Sequence, residues 1–425
     1  MCFKPARLPA AWPRLAARLQ SWCLLTAAAG LLLACSSSSI GDSSIDPPDS
    51  QGSSSGGESS SSSGSETVTE GEGESEGETQ AKRVIRGAHV LGHGIADIAI
   101  DHGLITEIGV IEMGPQEITI SAEGRYIVPA GIDSHVHLDY LRAPEEMANG
   151  GIAVAVDLAA PMTIFDERSA GEFAPLQLLV AGPMLAAPGG YPTQSWGEGG
   201  FGRECADTQA ALAAVDDLAE RGASAIKISL ENGPRLSDET IEAVIERAHG
   251  HNLKVLVHAL GDSDAALAAE LGVDGLAHTP LEPLSAATTE AFAGRVVIST
   301  LNAFGASQNA ISNLELLRES GAFVLYGTDF GNSVTAGIDR AELQAMGAAG
   351  MDGEAILEAL TSRPADFWGL AQGRLEVGAP ASFLILSADP IRKPLELGAA
   401  EVVYINGLPR RDRTLGGGGI AVEPG

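Results

Sequence analysis

The sequence predicts an α/β fold, a TIM (β/α)8 barrel with a small β-sandwich domain formed from both ends of the region that contains the barrel. Two observations predict it. Between residues 129 and 370, short apolar runs alternate with alanine-rich helical patterns, as parallel βα units do. Before 129 and after 370, short runs alternate apolar and polar residues between turn residues. A doubly wound open sheet is the alternative for the central region.

The central region contains eight candidate strands, the number that closes a TIM barrel. Helices are expected at 208–221, at 238–250 with Ser237 as N-cap, and at 263–271. The strands are predicted at 132–137, 152–159, 176–181, 224–230, 253–259, 273–278, 295–300 and 322–328.

The two flanking segments, 82–128 and 371–425, are predicted to form one antiparallel sheet domain. Runs such as 83–86, 96–100 and 104–108 alternate apolar and polar residues as strands do, and similar strand-like runs occur at 381–386 and 402–407. Each segment is too small to bury a core alone, so we expect them to pair around the barrel, which spans 129–370.

Residues 1–35 are predicted to be a lipoprotein signal peptide. A basic start precedes an apolar stretch, 23–34, that is too short to span a bilayer comfortably. It ends in Leu32-Leu33-Ala34-Cys35, which resembles a bacterial lipobox, so Cys35 is the expected lipidation site. Ordinary cleavage and an uncleaved anchor are the alternatives. Ser36 resembles the outer-membrane sorting pattern, so we expect a lipid-anchored protein of the bacterial cell envelope, periplasmic or surface-exposed.

Residues 36–81 are rich in Ser, Gly and Glu, and such a segment buries too little apolar surface to offset its ordering entropy. We interpret it as a disordered tether between the anchor and the folded region. Of the four cysteines, only Cys205 would remain after processing besides the acylated Cys35, so no intrachain disulfide is expected.

The charge of the chain argues against one class of partner. The net charge is −30; residues 1–35 contribute +4 and 36–81 contribute −10, which leaves −24 for 82–425. Nucleic-acid binding requires a basic face, so no nucleic-acid partner is expected. A small molecule is the expected partner, and a homo-oligomer is compatible with the sequence.

Metal-binding side chains stand at the ends of several predicted strands. His135 and His137 are two residues apart, so both side chains of the first strand point to one side. Later strands end in His258, in His278 and in the run Gly327-Thr328-Asp329, while Lys227 interrupts an apolar strand. Each has a structural explanation alone, such as a buried hydrogen-bonded histidine. Their shared placement at the C-terminal ends of the strands favours one site.

With these motifs the chain resembles the amidohydrolase superfamily, and more closely its imidazolonepropionase-like members, which include metal-dependent dipeptidases. The resemblance covers roughly 82–425 and includes the tail 373–383, where Ser382 replaces a common aspartate. It implies a hydrolase acting on a carbon–nitrogen bond of a dipeptide, an N-acyl amino acid or a cyclic amide.

The resemblance also implies a role for each residue. His135, His137 and Asp329 would hold one divalent ion, His258 and His278 a second, and a carboxylated Lys227 would bridge them. Zinc is the expected ion, and manganese or iron would also fit. A metal-bound hydroxide would attack the carbonyl, with Asp329 passing a proton to the leaving amine; Asp329, Lys227 and His278 are the expected catalytic residues.

Several alternatives stay open at this stage. The site could hold one ion, with Lys227 unmodified. The same scaffold could cleave a carboxylate or phosphate ester, or the chain could be a catalytically inactive surface-binding lipoprotein.

Substrate contacts are predicted from the long loop after the third strand, which could cover the barrel mouth. Tyr191 could hydrogen-bond a substrate carbonyl and Arg203 could pair with a substrate carboxylate, while Asn332 could line the pocket. Packing and surface roles are the competing interpretation. The other histidines are expected at the surface or at a helix end, away from the site: His89, His93, His102, His249 and His251.

Overall fold

A computed structural model describes residues 82–412, except 113, 115, 116 and 232, together with the backbone of 422–424. The predicted signal peptide with Cys35 and the predicted tether, residues 1–81, lie outside the described residues. Within the described residues, no helix has the length and apolar character needed to cross a membrane.

The first and last described segments form one nine-stranded sheet. Residues from both segments, including Ile98, Ile127, Phe383 and Val402, are buried in one apolar cluster. The strands are β1 (Arg83–Val90), β2 (Gly94–Asp101), β3 (Leu104–Gly109), β4 (Ile118–Ser121), β5 (Tyr126–Pro129), β16 (Phe383–Leu386), β17 (Val402–Ile405), β18 (Leu408–Asp412) and β19 (Val422–Pro424).

The pairing of these strands differs in part from the antiparallel prediction. β1–β2, β2–β3, β5–β16, β16–β17 and β17–β18 are antiparallel, but β1 pairs in parallel with β4 and with β5. β4 follows β1 only after β2 and β3, so the two strands are joined by the long connection that a parallel pair requires. Because β5 crosses the predicted boundary at 128/129 and pairs with β16, the sheet runs directly into the barrel. The domain boundaries stay a prediction.

The central region forms the barrel strands, all paired in parallel. They are β6 (Gly131–Val136), β7 (Ile152–Asp157), β8 (Gln177–Val180), β9 (Met184–Ala186), β10 (Gly202–Glu204), β11 (Ala225–Ser229), β12 (Lys254–His258), β13 (Gly275–Leu276), β14 (Val296–Ile298) and β15 (Phe323–Leu325). β8 and β9 together form the third barrel strand, and β10 is an addition in the loop that follows it.

Backbone hydrogen bonds join these strands into a closed ring. The Ser134 amide donates to the Tyr326 carbonyl over 2.9 Å, which links β6 to the segment after β15. On the opposite side, the Ser224 amide donates to the Val180 carbonyl over 2.8 Å, between β8 and the start of β11. This arrangement agrees with the eight-stranded barrel predicted from the sequence.

Ten α-helices are present in the described part of the chain, and they include the three predicted ones. The Ser237 hydroxyl accepts from the Thr240 amide over 3.3 Å, so the predicted N-cap is confirmed. The helices are α1 (Pro144–Asn149), α2 (Ile164–Ser169), α3 (Thr208–Glu220), α4 (Asp238–Gly250), α5 (Asp262–Leu271), α6 (Ala286–Ala291), α7 (Gln308–Glu319), α8 (Arg340–Ala348), α9 (Gly353–Leu360) and α10 (Ser362–Trp368).

Alternation along the strands decides which side chains face the barrel interior. Ala225 and Leu256 lie in the apolar cluster inside the barrel, whereas Ile226 of β11 packs in the larger cluster that includes the helices. Successive strand residues point to opposite faces, so Lys227 shares the interior face with Ala225, and His258 shares it with Leu256. The fold therefore directs both side chains inward.

Candidate metal centre

His135 and His137 lie at the end of β6 with their rings close together. Both are buried, and their Nε2 atoms are 3.2 Å apart. Each ring also makes a contact through its other nitrogen: His135 Nδ1 lies 2.7 Å from the Ala277 carbonyl and His137 Nδ1 lies 3.3 Å from the Ala159 carbonyl. A carbonyl only accepts, so Nδ1 of each ring carries a proton, and each Nε2 faces the cluster as the atom that would bind a cation once it is deprotonated.

Asp329 joins this pair from the segment after β15. Its backbone has a φ of 51°, and its amide donates to the His135 carbonyl over 2.8 Å. Its Oδ1 lies 3.1 Å from His137 Nε2 and 3.5 Å from His135 Nε2. One ligand atom from each of the three residues lies within 4.8 Å of the others, so this cluster could hold a metal ion.

His258 and His278 extend the row of imidazoles from the ends of β12 and β13. The His278 ring centroid lies 4.4 Å from that of His135 and 4.8 Å from that of His258. His278 Nδ1 lies 3.2 Å from the Thr300 hydroxyl, which leaves Nε2 unused. All four histidines predicted from the sequence therefore lie together in one site.

Lys227 lies among these groups with an unusual environment for an amine. It is buried, and its Nζ has no hydrogen-bond partner among the described residues. Burial lowers the pKa of Lys227 to about 7, against the attraction of Asp329 and Asp157. Near neutral pH a substantial share of this lysine is therefore an uncharged, nucleophilic amine.

Burial sets the charge of the other groups as well. It is the largest of the effects that lower the pKa of His135, His258 and His278, so these rings are neutral near pH 7. Burial alone would raise the pKa of Asp329, but the neighbouring histidines and the amide of Asn332 outweigh it and lower the pKa to about 2. Neutral imidazoles, an anionic carboxylate and an unpartnered amine are a donor set that fits divalent cations.

Two further aspartates hold this site together, and the sequence reasoning missed both. Asp133 accepts from the Thr328 hydroxyl over 2.6 Å and from the His135 amide over 3.2 Å. Asp157, the last residue of β7, accepts from the Leu138 amide over 2.7 Å. Asp133 could have been predicted from its position two residues before His135, because a charged residue in a buried strand needs a local partner.

The three predicted substrate residues have different surroundings. Tyr191 lies in the site: its ring stacks on His258 at 4.7 Å between centroids, and its hydroxyl accepts from Trp196 Nε1 over 2.7 Å. Asn332 donates from its side chain to Asp329 Oδ1 over 3.1 Å, so it supports the carboxylate. Arg203 forms an ion pair with Asp217 of α3 at 2.7 Å. Their contacts with substrate stay predictions, and Arg203 would have to leave this pair to make one.

Aromatic side chains that were not predicted as site residues border the same histidines. Trp196 of the long loop lies 5.1 Å from His137 between ring centroids, and Phe304 lies 5.2 Å from His278. Tyr140 and Phe201 contact Trp196 in turn. The loop after the third strand therefore contacts the site histidines at the C-terminal ends of the strands, through Trp196 and Tyr191. Its glycine and aromatic content was the signal for this position, but its individual contacts were not readable from sequence.

The fold and the site together define a closed parallel barrel with a candidate metal centre at the C-terminal ends of its strands. The Amidohydrolase family model matches residues 126–410, well over half of the chain. The chain belongs to the amidohydrolase family.

Comparisons with individual proteins agree with this assignment. A D-hydantoinase of Ralstonia pickettii is 35% identical over 91 residues, which are 20% of each chain, so the chain matches about a fifth of that relative's length. An uncharacterized protein of Mycobacterium tuberculosis is 24% identical over 327 residues, 67% of this chain and 85% of that protein. The crystal structure of a Xaa-Pro dipeptidase with bound methionine in the active site superposes with a TM-score of 0.67 at 19% identity, covering 77% of this chain and 99% of that chain.

Proposed function

We propose that the protein is a metal-dependent amidohydrolase that cleaves the C–N bond of a dipeptide, an N-acyl amino acid or a cyclic amide. The observation that carries the proposal is the buried cluster of His135, His137 and Asp329, with the unpartnered amine of Lys227 and two further histidines beside it. The names of the compared proteins, a D-hydantoinase and a Xaa-Pro dipeptidase, support this range of substrates.

Two divalent ions fit the donors, and zinc suits imidazole and carboxylate ligands. His135, His137 and Asp329 would hold the first ion, and His258 and His278 the second. Lys227 would bridge them as a carbamate: its Nζ lone pair forms a bond to the carbon of CO2 and one proton leaves, which gives a group with one negative charge. When bound, such ions supply polarisation of the scissile carbonyl and acidification of water.

The protein's own groups would handle the proton and hold the substrate. Asp329, anionic near neutral pH, would accept a proton at a carboxylate oxygen from the attacking water and return it to the leaving nitrogen. The side chain of Asn332 holds Oδ1, so the carboxylate keeps one orientation during this transfer. Burial raises the pKa of Tyr191, which keeps its hydroxyl protonated as a hydrogen-bond donor to a substrate carbonyl.

The test measures metal content and turnover of full-length protein loaded with zinc. We expect two ions per wild-type chain and one in His258→Ala. Turnover in this variant should fall by more than the roughly 10–100-fold that loss of an outer partner of a ligand causes. His251→Ala is the matched control, because His251 is an exposed histidine paired with Asp216. A wild-type chain that binds one ion at saturation contradicts the two-metal proposal.

A substrate panel separates the alternatives on this scaffold. Dipeptides, N-acyl amino acids and cyclic amides are compared with carboxylate esters and phosphotriesters under the same metal loading. A preference for either ester class would replace the amide proposal. Absence of turnover on the entire panel in fully loaded protein would favour an inactive surface-binding protein.

We also propose that the chain is lipid-anchored in a bacterial cell envelope through Cys35. The support is the Leu32-Leu33-Ala34-Cys35 sequence after a basic and apolar start. Membrane fractionation of wild type and Cys35→Ser tests it: the variant should leave the membrane fraction, and equal partition of both chains contradicts the anchor.

A further inference from the structure

Glu231 contacts the histidine row from the end of β11, and no role for it was predicted. Its Oε2 lies 2.8 Å from His258 Nε2, in a pair whose histidine is 4% exposed and whose glutamate is 32% exposed. The backbone fixes the same neighbourhood, because the Leu230 amide donates to the His258 carbonyl over 2.9 Å. The Glu231 amide donates to the Ser229 hydroxyl over 3.2 Å. The turn after β11 that carries Glu231 is therefore hydrogen-bonded to β12 at His258.

This contact decides which nitrogen of His258 carries the proton. A carboxylate only accepts, so Nε2 must donate to Glu231 and Nδ1 keeps its lone pair. No hydrogen bond to His258 Nδ1 is found among the described residues. In His135, His137 and His278 the arrangement is reversed, since each makes its supporting contact through Nδ1.

The ring of His258 has few other restraints on its tautomer. Tyr191 stacks on one face and His278 meets the ring at 82° between planes, so both fix its position. Neither ring contact distinguishes a proton on Nδ1 from one on Nε2. The carboxylate of Glu231 is the group that does.

We infer that Glu231 is a positioning residue that holds His258 as the Nε2-protonated tautomer, so that Nδ1 is the donor atom for the second metal ion. This inference rests on the proposed function for the identity of that ion. Glu231 supports only one half of the site, since it forms a hydrogen bond with His258 and none with His135, His137 or Asp329 among the described residues. A carboxylate behind a ligating imidazole also increases the basicity of the ligand.

The first experiment reads the tautomer directly in metal-free, full-length protein labelled with [15N]histidine. Long-range 1H–15N spectra distinguish a protonated ring nitrogen from a bare one, and the signals absent in His258→Ala identify His258. We expect protonated Nε2 in wild type and in Glu231→Gln, whose amide oxygen still accepts, and a mixture in Glu231→Leu. A wild-type His258 protonated at Nδ1, or an unchanged tautomer in Glu231→Leu, overturns the inference.

The second experiment measures zinc affinity by competition with a chromophoric chelator. Glu231→Leu should lower the affinity for the second zinc ion by about 10–100-fold and leave the affinity for the first within about twofold of wild type. Glu231→Gln should lose less affinity for the second ion. Glu282→Gln is the matched control, because Glu282 lies on the loop after β13 and its side chain has no hydrogen bond to a histidine in the described part of the chain. Equal weakening of both ions in Glu231→Leu, or of neither, overturns the inference.

The two experiments separate failure of the inference from failure of the proposed function. If wild type binds no second ion, the two-metal proposal fails, while the tautomer spectra still decide what Glu231 does. If wild type binds two ions and the tautomer is independent of Glu231, only the inference fails.

Discussion

Replacing Lys227 by methionine should stabilise the metal-free protein while removing its capacity for a bridged metal pair. Methionine has a similar length and no charge, so it fills the same space inside the barrel. The wild-type amine is buried without a hydrogen-bond partner, and its pKa is lowered from 10.5 to about 7. Leaving a charge in that environment costs stability, and the variant removes the cost.

The size of the effect follows from the shift. Because the folded pKa lies below the unfolded one, the unfolded chain binds more protons between pH 7 and pH 10.5, and stability rises with pH in that window. Below pH 7 the lysine destabilises the fold by about 5 kcal/mol, the product of 3.5 pKa units and 1.36 kcal/mol. Between pH 6 and pH 9, wild type should regain about 3 kcal/mol of this.

The assay is urea denaturation of chelator-treated protein in CO2-free buffer at pH 6 and pH 9. The quantity compared is the unfolding free energy of Lys227→Met minus that of wild type, because groups that titrate independently of Lys227 cancel in this difference. It should be positive at pH 6 and about 3 kcal/mol smaller at pH 9. Lys393→Met is the control, since Lys393 is exposed. A difference that is negative at pH 6, or that does not change with pH, refutes the reasoning.

Two further substitutions test the surroundings of the site. Gly331 has a φ of +113°, and an added Cβ would lie 2.7 Å from His137 Cβ. Gly331→Ala should therefore displace His137 and weaken binding of the first ion. The strained backbone should also cost about 1–3 kcal/mol of stability. Zinc titration should show much less effect in Gly305→Ala, whose φ is +71° but whose Cβ would meet open space; equal effects contradict the role of the contact. Burial raises the pKa of Glu342 from 4.5 to about 7, so its carboxylate destabilises the fold increasingly above pH 4.5. The unfolding free energy of Glu342→Gln minus that of wild type should grow by about 2–3 kcal/mol from pH 5 to pH 8 in denaturation experiments, and a constant difference argues against the shift.

The barrel and the histidine row were predictable because both depend on short-range rules. The strand period places His135 and His137 on one side, and parallel strands bring their C-terminal ends to one edge, which gathers His258, His278 and Asp329 without knowledge of the loops. The parallel pairing of β1 in the sheet was not predictable from alternation, since alternation gives the buried face of a strand but not the direction of its neighbour.

The supporting contacts were not predictable for a related reason. Glu231 follows its strand by two residues, and whether such a side chain turns back to the barrel or out to solvent depends on the turn it begins. Trp196 and Arg203 belong to one long loop, yet Trp196 contacts His137 while Arg203 pairs with Asp217 of a helix. Sequence pattern locates such a loop but does not determine which of its side chains point inward.

The two halves of the site are held by different kinds of contact, and this has a consequence for metal binding. His135 and His137 are oriented by backbone carbonyls, which belong to the barrel and which no single side-chain substitution removes. His278 and His258 are oriented by side chains, the hydroxyl of Thr300 and the carboxylate of Glu231. A backbone partner is as rigid as the sheet, whereas a side-chain partner has its own rotamers and, for Glu231, access to solvent. With the two ions proposed above, the affinity for the second ion would therefore depend on residues that can vary without disturbing the fold, while the affinity for the first would be built into the barrel itself.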